Sequence, residues 1–422
     1  MLKPTAATLL ALALLAPIAP ASAAMDVERV KEVLAQAPVF DGHNDLPWAI
    51  RAANDSRVSD FPFADAREKF PSLMTDAARL REGGVGAQFW SVYVPASLAE
   101  PEAVVATLEQ IDLADRLIGA HPDILGKAET AADVRRLMSE GKIAGMFGVE
   151  GGHSIANSLA VLRQYYDLGA RYMTLTHSAT LDWADSATDA PKSDGLSPFG
   201  EEVVREMNRL GMLVDLSHVS EATMNDALDV SVAPVIFSHS SARAIDGHPR
   251  NVPDAVLKRL KDNGGVVMVT FVEPFLNESR RQWGGNRGAE EARLRSLNPA
   301  WTKAEMEKAL AQWDADNPAP KASLTDAADH IDHIREVAGI DHIGLGGDFD
   351  GIDSTPTGLE DVSTYPALLA ELIPRGYTEA DIAKITSGNI LRVLQAAEET
   401  AMRLQAERGP SEIRFATDTA SE

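Results

Sequence analysis

Eight short runs rich in strand-favouring residues recur along the chain, at 38–41, 87–94, 143–149, 172–176, 213–216, 235–237, 266–271 and 343–346. Between them lie segments with apolar residues at three and four spacing and polar residues elsewhere, among them 101–118, 199–210, 254–261 and 324–337, and these predict helices. Eight alternations of strand and helix predict a single parallel (β/α)8 TIM barrel of the metal-dependent hydrolase type. A doubly wound open sheet also alternates, but it should carry a glycine-rich phosphate turn of the G-x-G-x-x-G type after an early strand, and none stands there. Between the seventh and eighth runs the stretch 273–321 is long, charged and contains tryptophan, so a lid-like insertion over the barrel mouth is expected, shaping the substrate pocket. No repeat or low-complexity linker divides the chain, which predicts one domain over 24–408.

The first residues follow a different pattern. Lys3 precedes an apolar run from Leu9 to Ile18, and Ala21-Ser22-Ala23 follows, the order of a secretory signal. The run is too short to span a bilayer. Residues 1–23 are therefore expected to be a signal peptide, removed on export to leave a periplasmic or secreted protein. The stretch 409–422 reads as a polar tail with neither an anchor signal nor a second membrane segment.

Charge and cysteine usage narrow the chemistry. With 39 basic against 63 acidic residues in 422, a net charge of −24 excludes nucleic acid as a partner, because phosphate binding needs clustered Lys and Arg. There is no cysteine, so no disulfide staples the chain and no thiolate serves as nucleophile or ligand. A metal site must be built from imidazoles and carboxylates.

Those residues gather at the ends of the predicted strands, where barrels carry their catalytic groups. The first run ends in Asp41-Gly42-His43-Asn44-Asp45, and strand alternation predicts His43 and Asp45 on one face. The third ends in Glu150, the fifth in Ser217-His218 and the sixth in Ser238-His239. His43, Asp45, Glu150, His218 and His239 form a nitrogen and oxygen set suited to Zn²⁺ and able to hold two ions, a glutamate being able to bridge them. Each of these residues taken alone could instead cap a strand end through bonds to backbone. His177 follows the fourth run, and Asp348 and Asp350 follow the eighth; an aspartate beside a metal-activated water can take and return its proton, and periodicity does not choose between the two. Arg250, past the sixth run, could clamp a substrate carboxylate or cap a surface loop. His330 and His333 stand three apart on the helix before the eighth run, far from the mouth, and read as structural, while His153 could at most orient Glu150.

Six motifs in order, DGHND (41–45), GVEGGH (148–153), YMTLTHS (172–178), FSHSSA (237–242), RNVPD (250–254) and GGDFDG (346–351), resemble those of the membrane (renal) dipeptidase family throughout 24–408. The resemblance implies a zinc-dependent dipeptidase with two Zn²⁺ ions bridged by Glu150 and a water or hydroxide. His43, Asp45 and Glu150 would hold one ion and Glu150, His218 and His239 the other. It further implies that His177 contacts the scissile carbonyl or its oxyanion, Arg250 binds the substrate's C-terminal carboxylate, and Asp348 handles the proton. Dipeptides with a D-residue at the C-terminal position, and dehydropeptide or β-lactam analogues, become plausible substrates. Animal members carry disulfides and a lipid anchor, and this chain has the residues for neither. Another binuclear barrel hydrolase, acting on a lactone, an ester or an N-acyl amino acid, is the alternative, and a non-catalytic periplasmic binding protein the more distant one. A closed homodimer is the default assembly.

Overall fold

The eight runs satisfy their backbone groups by lying side by side, and in a computed structural model of the protein, which describes residues 19–415, they close into a barrel. All pairs are parallel. The first strand (Val39–Asn44) pairs with the second (Val85–Ser91) on one edge and with the eighth (Ile343–Leu345) on the other. The third (Ile143–Glu150), fourth (Ala170–Thr174), fifth (Leu213–Asp215), sixth (Ile236–Phe237) and seventh (Val266–Val269) complete the circuit. The predicted helices form as Glu100–Ala120, Pro198–Leu210, Asp254–Asn263 and Leu324–Val337. One short strand was not expected: Leu125–Lys127 pairs with the start of the third strand, and three residues of Leu-Gly-Lys are too few to carry a periodic signal.

Phe40, Phe89, Met146, Tyr172 and Met268, all fully buried, belong to one cluster within the barrel. Phe40 and Phe89 stack at 5.1 Å between ring centres, and Phe89 meets Tyr172 at 4.9 Å. Each ring contributes about 2–3 kcal/mol by burial, so the barrel interior is a packed core and not a pore.

The expected leader lies largely outside the described residues; from Ala19 on the chain is the helix Ala19–Leu34, whose Val30 and Leu34 join the core. Among the described residues no helix is long and apolar enough to cross a membrane. The stretch expected as a polar tail is docked as far as residue 415. Arg163 donates to the Ser411 carbonyl at 3.1 Å, and Phe415 meets Phe199 edge-on at 5.3 Å.

The insertion is helical: a single turn, Glu273–Leu276, then Glu278–Leu297 and Lys303–Asp316. Trp283 packs on Trp313 at 5.7 Å and Arg287 pairs with Asp314 at 2.8 Å, which joins the two long helices as a hairpin. Glu278–Leu297 buries no residue. Only the base of the insertion, up to Arg280, borders the cavity at the mouth. It shapes the pocket as expected, whereas the outer hairpin adds nothing to the lining.

His330 fastens that base to the barrel. Its Nδ1 accepts from the Ala242 amide at 2.9 Å and its Nε2 donates to the Leu276 carbonyl at 3.2 Å. Only the neutral imidazole can do both, and burial pushes its pKa down to about 4. Stabilisation from this histidine is therefore complete above its ordinary pKa of 6.5 and is lost as pH falls towards 4, with about 2 kcal/mol gone by pH 5. Denaturant midpoints measured at pH 7 and pH 5 should fall for the wild type, and H330Q, less stable at pH 7, should show a shallower fall; equal slopes would refute the assignment.

Candidate metal centre

Each strand delivers its polar residues where the ladder ends and the chain turns out over the mouth. In the first strand the partners step from Asp41↔Gln88 to Asn44↔Trp90, three residues against two, so the strand bulges at Gly42 and His43. Asp45 lies beyond the strand as the cap of the helix Leu46–Asn54. His43 and Asp45 do meet, at 3.2 Å, but through the bulge and the cap rather than by the simple alternation expected. Glu150 is the last residue of the third strand. His218 and Asp348 sit in the left-handed region at φ 68° and 63°, conformations that cost about 1–3 kcal/mol each and that turn their side chains into the site. Gly351 closes the loop behind Asp348, where an added Cβ would stand 2.3 Å from Asp45 Oδ2 and 2.8 Å from Asp348 Oδ1.

The five expected ligands converge, and the two oxygens of Glu150 face different partners. Oε2 lies 3.5 Å from His43 Nε2, while Oε1 lies 3.1 Å from His218 Nε2 and 3.5 Å from His239 Nε2. The His218 and His239 Nε2 atoms are 2.9 Å apart. His177 Nε2 stands 3.7 Å from Glu150 Oε1, and Asp348 Oδ1 is 3.8 Å from His43 Nε2. Three overlapping triads result: His43, Glu150 and His239; Glu150, His177 and His218; His43, Asp45 and Asp348.

This donor set fits metal ions. His43 Nε2 and Asp45 Oδ1 are buried without a hydrogen-bond partner. Burial, with the charges of Arg250 and neighbouring imidazoles, holds His218 and His239 well below the usual histidine range, so both offer lone pairs. Burial opposes a charge on His43, yet Tyr172, Glu150 and Asp45 hold its pKa well above the usual value; the carboxylates demand a cation between them. Burial likewise opposes ionisation of Glu150, but His43 and His218 keep its carboxyl well below the ordinary range.

A second layer of residues, given no task by the sequence, orients these ligands. Thr174 Oγ1 and Ser238 Oγ each donate to Asp215 Oδ2 at 2.6 Å, and the Ser217 and Ser238 amides donate to its Oδ1. With its proton committed to Asp215, Ser238 Oγ accepts from His239 Nδ1 at 2.8 Å, which leaves Nε2 free for a metal. Tyr172 Oη contacts His43 Nδ1 at 2.8 Å, and Ser91 donates to Glu150 Oε2 at 3.2 Å. Asp215 and Ser238 stand one to three residues from a ligand, the one signal by which sequence could have found them. His153, read as structural and at most as orienting Glu150, is structural: it meets the Val94 carbonyl at 3.2 Å and makes no hydrogen bond to Glu150.

The structure separates the two aspartates. Asp350 Oδ1 accepts from the Met74 amide at 2.7 Å and anchors that loop, whereas Asp348 faces the ligands. Burial and the nearby Asp45 and Glu150 push the Asp348 carboxyl well above its usual range, against His43 and Arg250. Arg250 is 3 % exposed and lies over Phe275 at 5.3 Å, donating to Ser240 Oγ and the His239 carbonyl, each at 3.3 Å. Among the described residues no carboxylate lies within ion-pair distance of it. Burial lowers its pKa to about 10, so it stays charged and open to an anion at neutral pH. Asp45, Glu150, His177, His218, Arg250 and Asp348 line a cavity of about 630 Å³, the size of a small-molecule site.

Comparison with known proteins bears on this arrangement. Residues 27–408 match the family model of membrane dipeptidase, peptidase family M19. The probable dipeptidase PvdM from Pseudomonas aeruginosa is 26% identical over 90% of this chain and 100% of its own, with a TM-score of 0.77. A metallo peptidase from Rhodobacter sphaeroides, liganded with a phosphinate mimic of the dipeptide L-Ala-D-Ala, is 25% identical over 85% of this chain and 99% of its own, with a TM-score of 0.70. Dipeptidase AC, also a metallo peptidase, matches at 25% identity and a TM-score of 0.70, over 85% of this chain and 98% of its own.

Removing the Ser238 hydroxyl frees the His239 ring to rotate and to change tautomer. S238A should weaken divalent-metal binding by roughly 10- to 100-fold in a chelator competition; unchanged affinity would show the relay to be incidental.

Proposed function

The chain belongs to the membrane dipeptidase family, and from that premise we propose that it uses two zinc ions at the barrel mouth to cleave dipeptides, including those with a D-residue at the C-terminal position. The observation that carries the two-ion reading is Glu150, whose oxygens face His43 on one side and His218 with His239 on the other. His43, Asp45 and Glu150 would hold one ion, and Glu150, His218 and His239 the other. When bound, such ions supply Lewis-acid polarisation of the scissile carbonyl and a water nucleophile available at a pH of about 7.

The chain's own residues do the rest. Arg250, buried and without a carboxylate partner among the described residues, binds the substrate's C-terminal carboxylate through charge-assisted hydrogen bonds and sets the register of the peptide bond. His177, which burial keeps below the usual histidine pKa, presents a neutral imidazole to the carbonyl oxygen and stabilises the negative charge it gains. Asp348 takes the proton that water loses as the new C–O bond forms, and returns it to nitrogen as the C–N bond breaks. A cavity of about 630 Å³ with a fixed cation suits a dipeptide better than a longer chain. The phosphinate dipeptide mimic bound by the Rhodobacter sphaeroides relative supports the substrate class and the D-residue. The pattern at residues 1–23 supports export, with the mature chain working in the periplasm or outside the cell.

A panel of L-L and L-D dipeptides, assayed before and after chelation and with zinc restored, should show zinc-restorable cleavage; no cleavage by a chain carrying two zincs would move the activity to another bond. E150Q should lose about 100-fold or more in turnover and hold less than two equivalents of zinc, and near-normal activity at full occupancy would sink the bridge. Dipeptide amides, which present no carboxylate to Arg250, should lose roughly 10- to 100-fold in kcat/KM. N-terminal sequencing of exported protein should begin at Ala24.

A further inference from the structure

Two arginines border the cavity, and the proposed reaction uses only one. Arg280 stands in the first turn of Glu278–Leu297, its backbone amide held by the Asn277 cap at 3.1 Å and its guanidinium lying over Trp283 at 4.6 Å. The side chain is 19 % exposed, yet among the described residues it makes no hydrogen bond, and its Nε is buried without a partner. The nearest carboxylate, Glu273, is 3.8 Å away and already engaged. It accepts from the Ala322 amide at 3.1 Å and from Ser354 Oγ, and it pairs with Lys321 at 3.4 Å. Glu273 offsets part of the charge on Arg280 without filling its fork of donors.

Arg280 borders the cavity from the same insertion base that covers Arg250, since Phe275, beneath the Arg250 guanidinium, lies five residues earlier on the preceding turn. With both guanidiniums bordering one cavity, Arg280 is the second cation within that cavity for the side chain of a dipeptide whose C-terminal carboxylate is held by Arg250. A stacked guanidinium with free donors is built for a planar carboxylate, and a ligand without that acceptor leaves the donors unpaired. We propose that Arg280 is a specificity-determining residue that binds the side-chain carboxylate of an acidic C-terminal residue, so that the preferred substrates are dipeptides ending in Asp or Glu. This rests on the dipeptidase reading above and names its substrate class.

The test compares kcat/KM for Ala-Glu with Ala-Gln and for Ala-Asp with Ala-Asn, with Ala-Ala as reference, on zinc-loaded wild type, R280Q and R280K. In each pair only the carboxylate is exchanged for its isosteric amide. The wild type should favour the acidic member by roughly tenfold or more, R280Q should bring the ratio close to one, and R280K, with the charge but not the fork, should fall between. A wild-type ratio near one, or one that R280Q leaves unmoved, overturns the assignment while Ala-Ala cleavage keeps the dipeptidase reading intact. Failure of the wild type to cleave any of the five takes both readings down together.

Discussion

A carboxylate buried alone in a protein interior costs several kcal/mol, and Glu150, 4 % exposed at the end of the third strand, is tolerable only because cationic and donor groups surround it. Those groups come from the ends of five other strands: His43 from the first, Ser91 from the second, His177 from the fourth, His218 from the fifth and His239 from the sixth. Barrel closure is what brings strands so distant in sequence around one side chain. The same crowding of imidazole nitrogens and carboxylate oxygens makes the spot a place for cations. Stability and chemistry thus pull on the same atoms, and the site gains its affinity for metal from an arrangement that is uncomfortable without it.

Holding that arrangement takes local strain and a second layer of bonds. His218, Asp348 and Asp350 all adopt positive φ, each at a cost the surroundings must offset. Asp41 does part of this: one of its oxygens accepts from both the His43 and Gly347 amides at 3.1 Å, tying the turn of the first strand to that of the eighth. Burial pushes its carboxyl up to about 6 despite these bonds. Asp215 plays the matching part between the fifth and sixth strands. The two aspartates brace opposite sides of the mouth, so the ligands are presented by rigid strand ends.

Much of this was legible in the order of residues. Strands and helices of a (β/α)8 barrel leave a regular record because every strand must be apolar and every outer helix two-faced, and the chain carries that record eight times. The five candidate ligands were legible because each stands just after an apolar run. The bulge at Gly42 and His43 was not, since it depends on how the second strand lies beside the first. Nor was the short strand Leu125–Lys127, or the docking of Phe415 on Phe199 by a stretch that reads as merely polar.

By itself the sequence determined the architecture, the absence of thiolate chemistry and the residues able to bind metal, because periodicity and side-chain chemistry are local properties carried by each residue wherever it ends up. Only the tertiary structure decided which oxygen of Glu150 faces which imidazole, that Asp348 turns to the ligands while Asp350 anchors a loop, and that Ser238 hands His239 on to Asp215. It also decided that the insertion shapes the pocket through its base, and that Arg280 on that base makes no hydrogen bond among the described residues and faces only a carboxylate that is already engaged. These are relations between side chains tens to hundreds of residues apart, set by backbone geometry at strand ends and by which neighbours have already taken each hydrogen bond, and no local pattern records them.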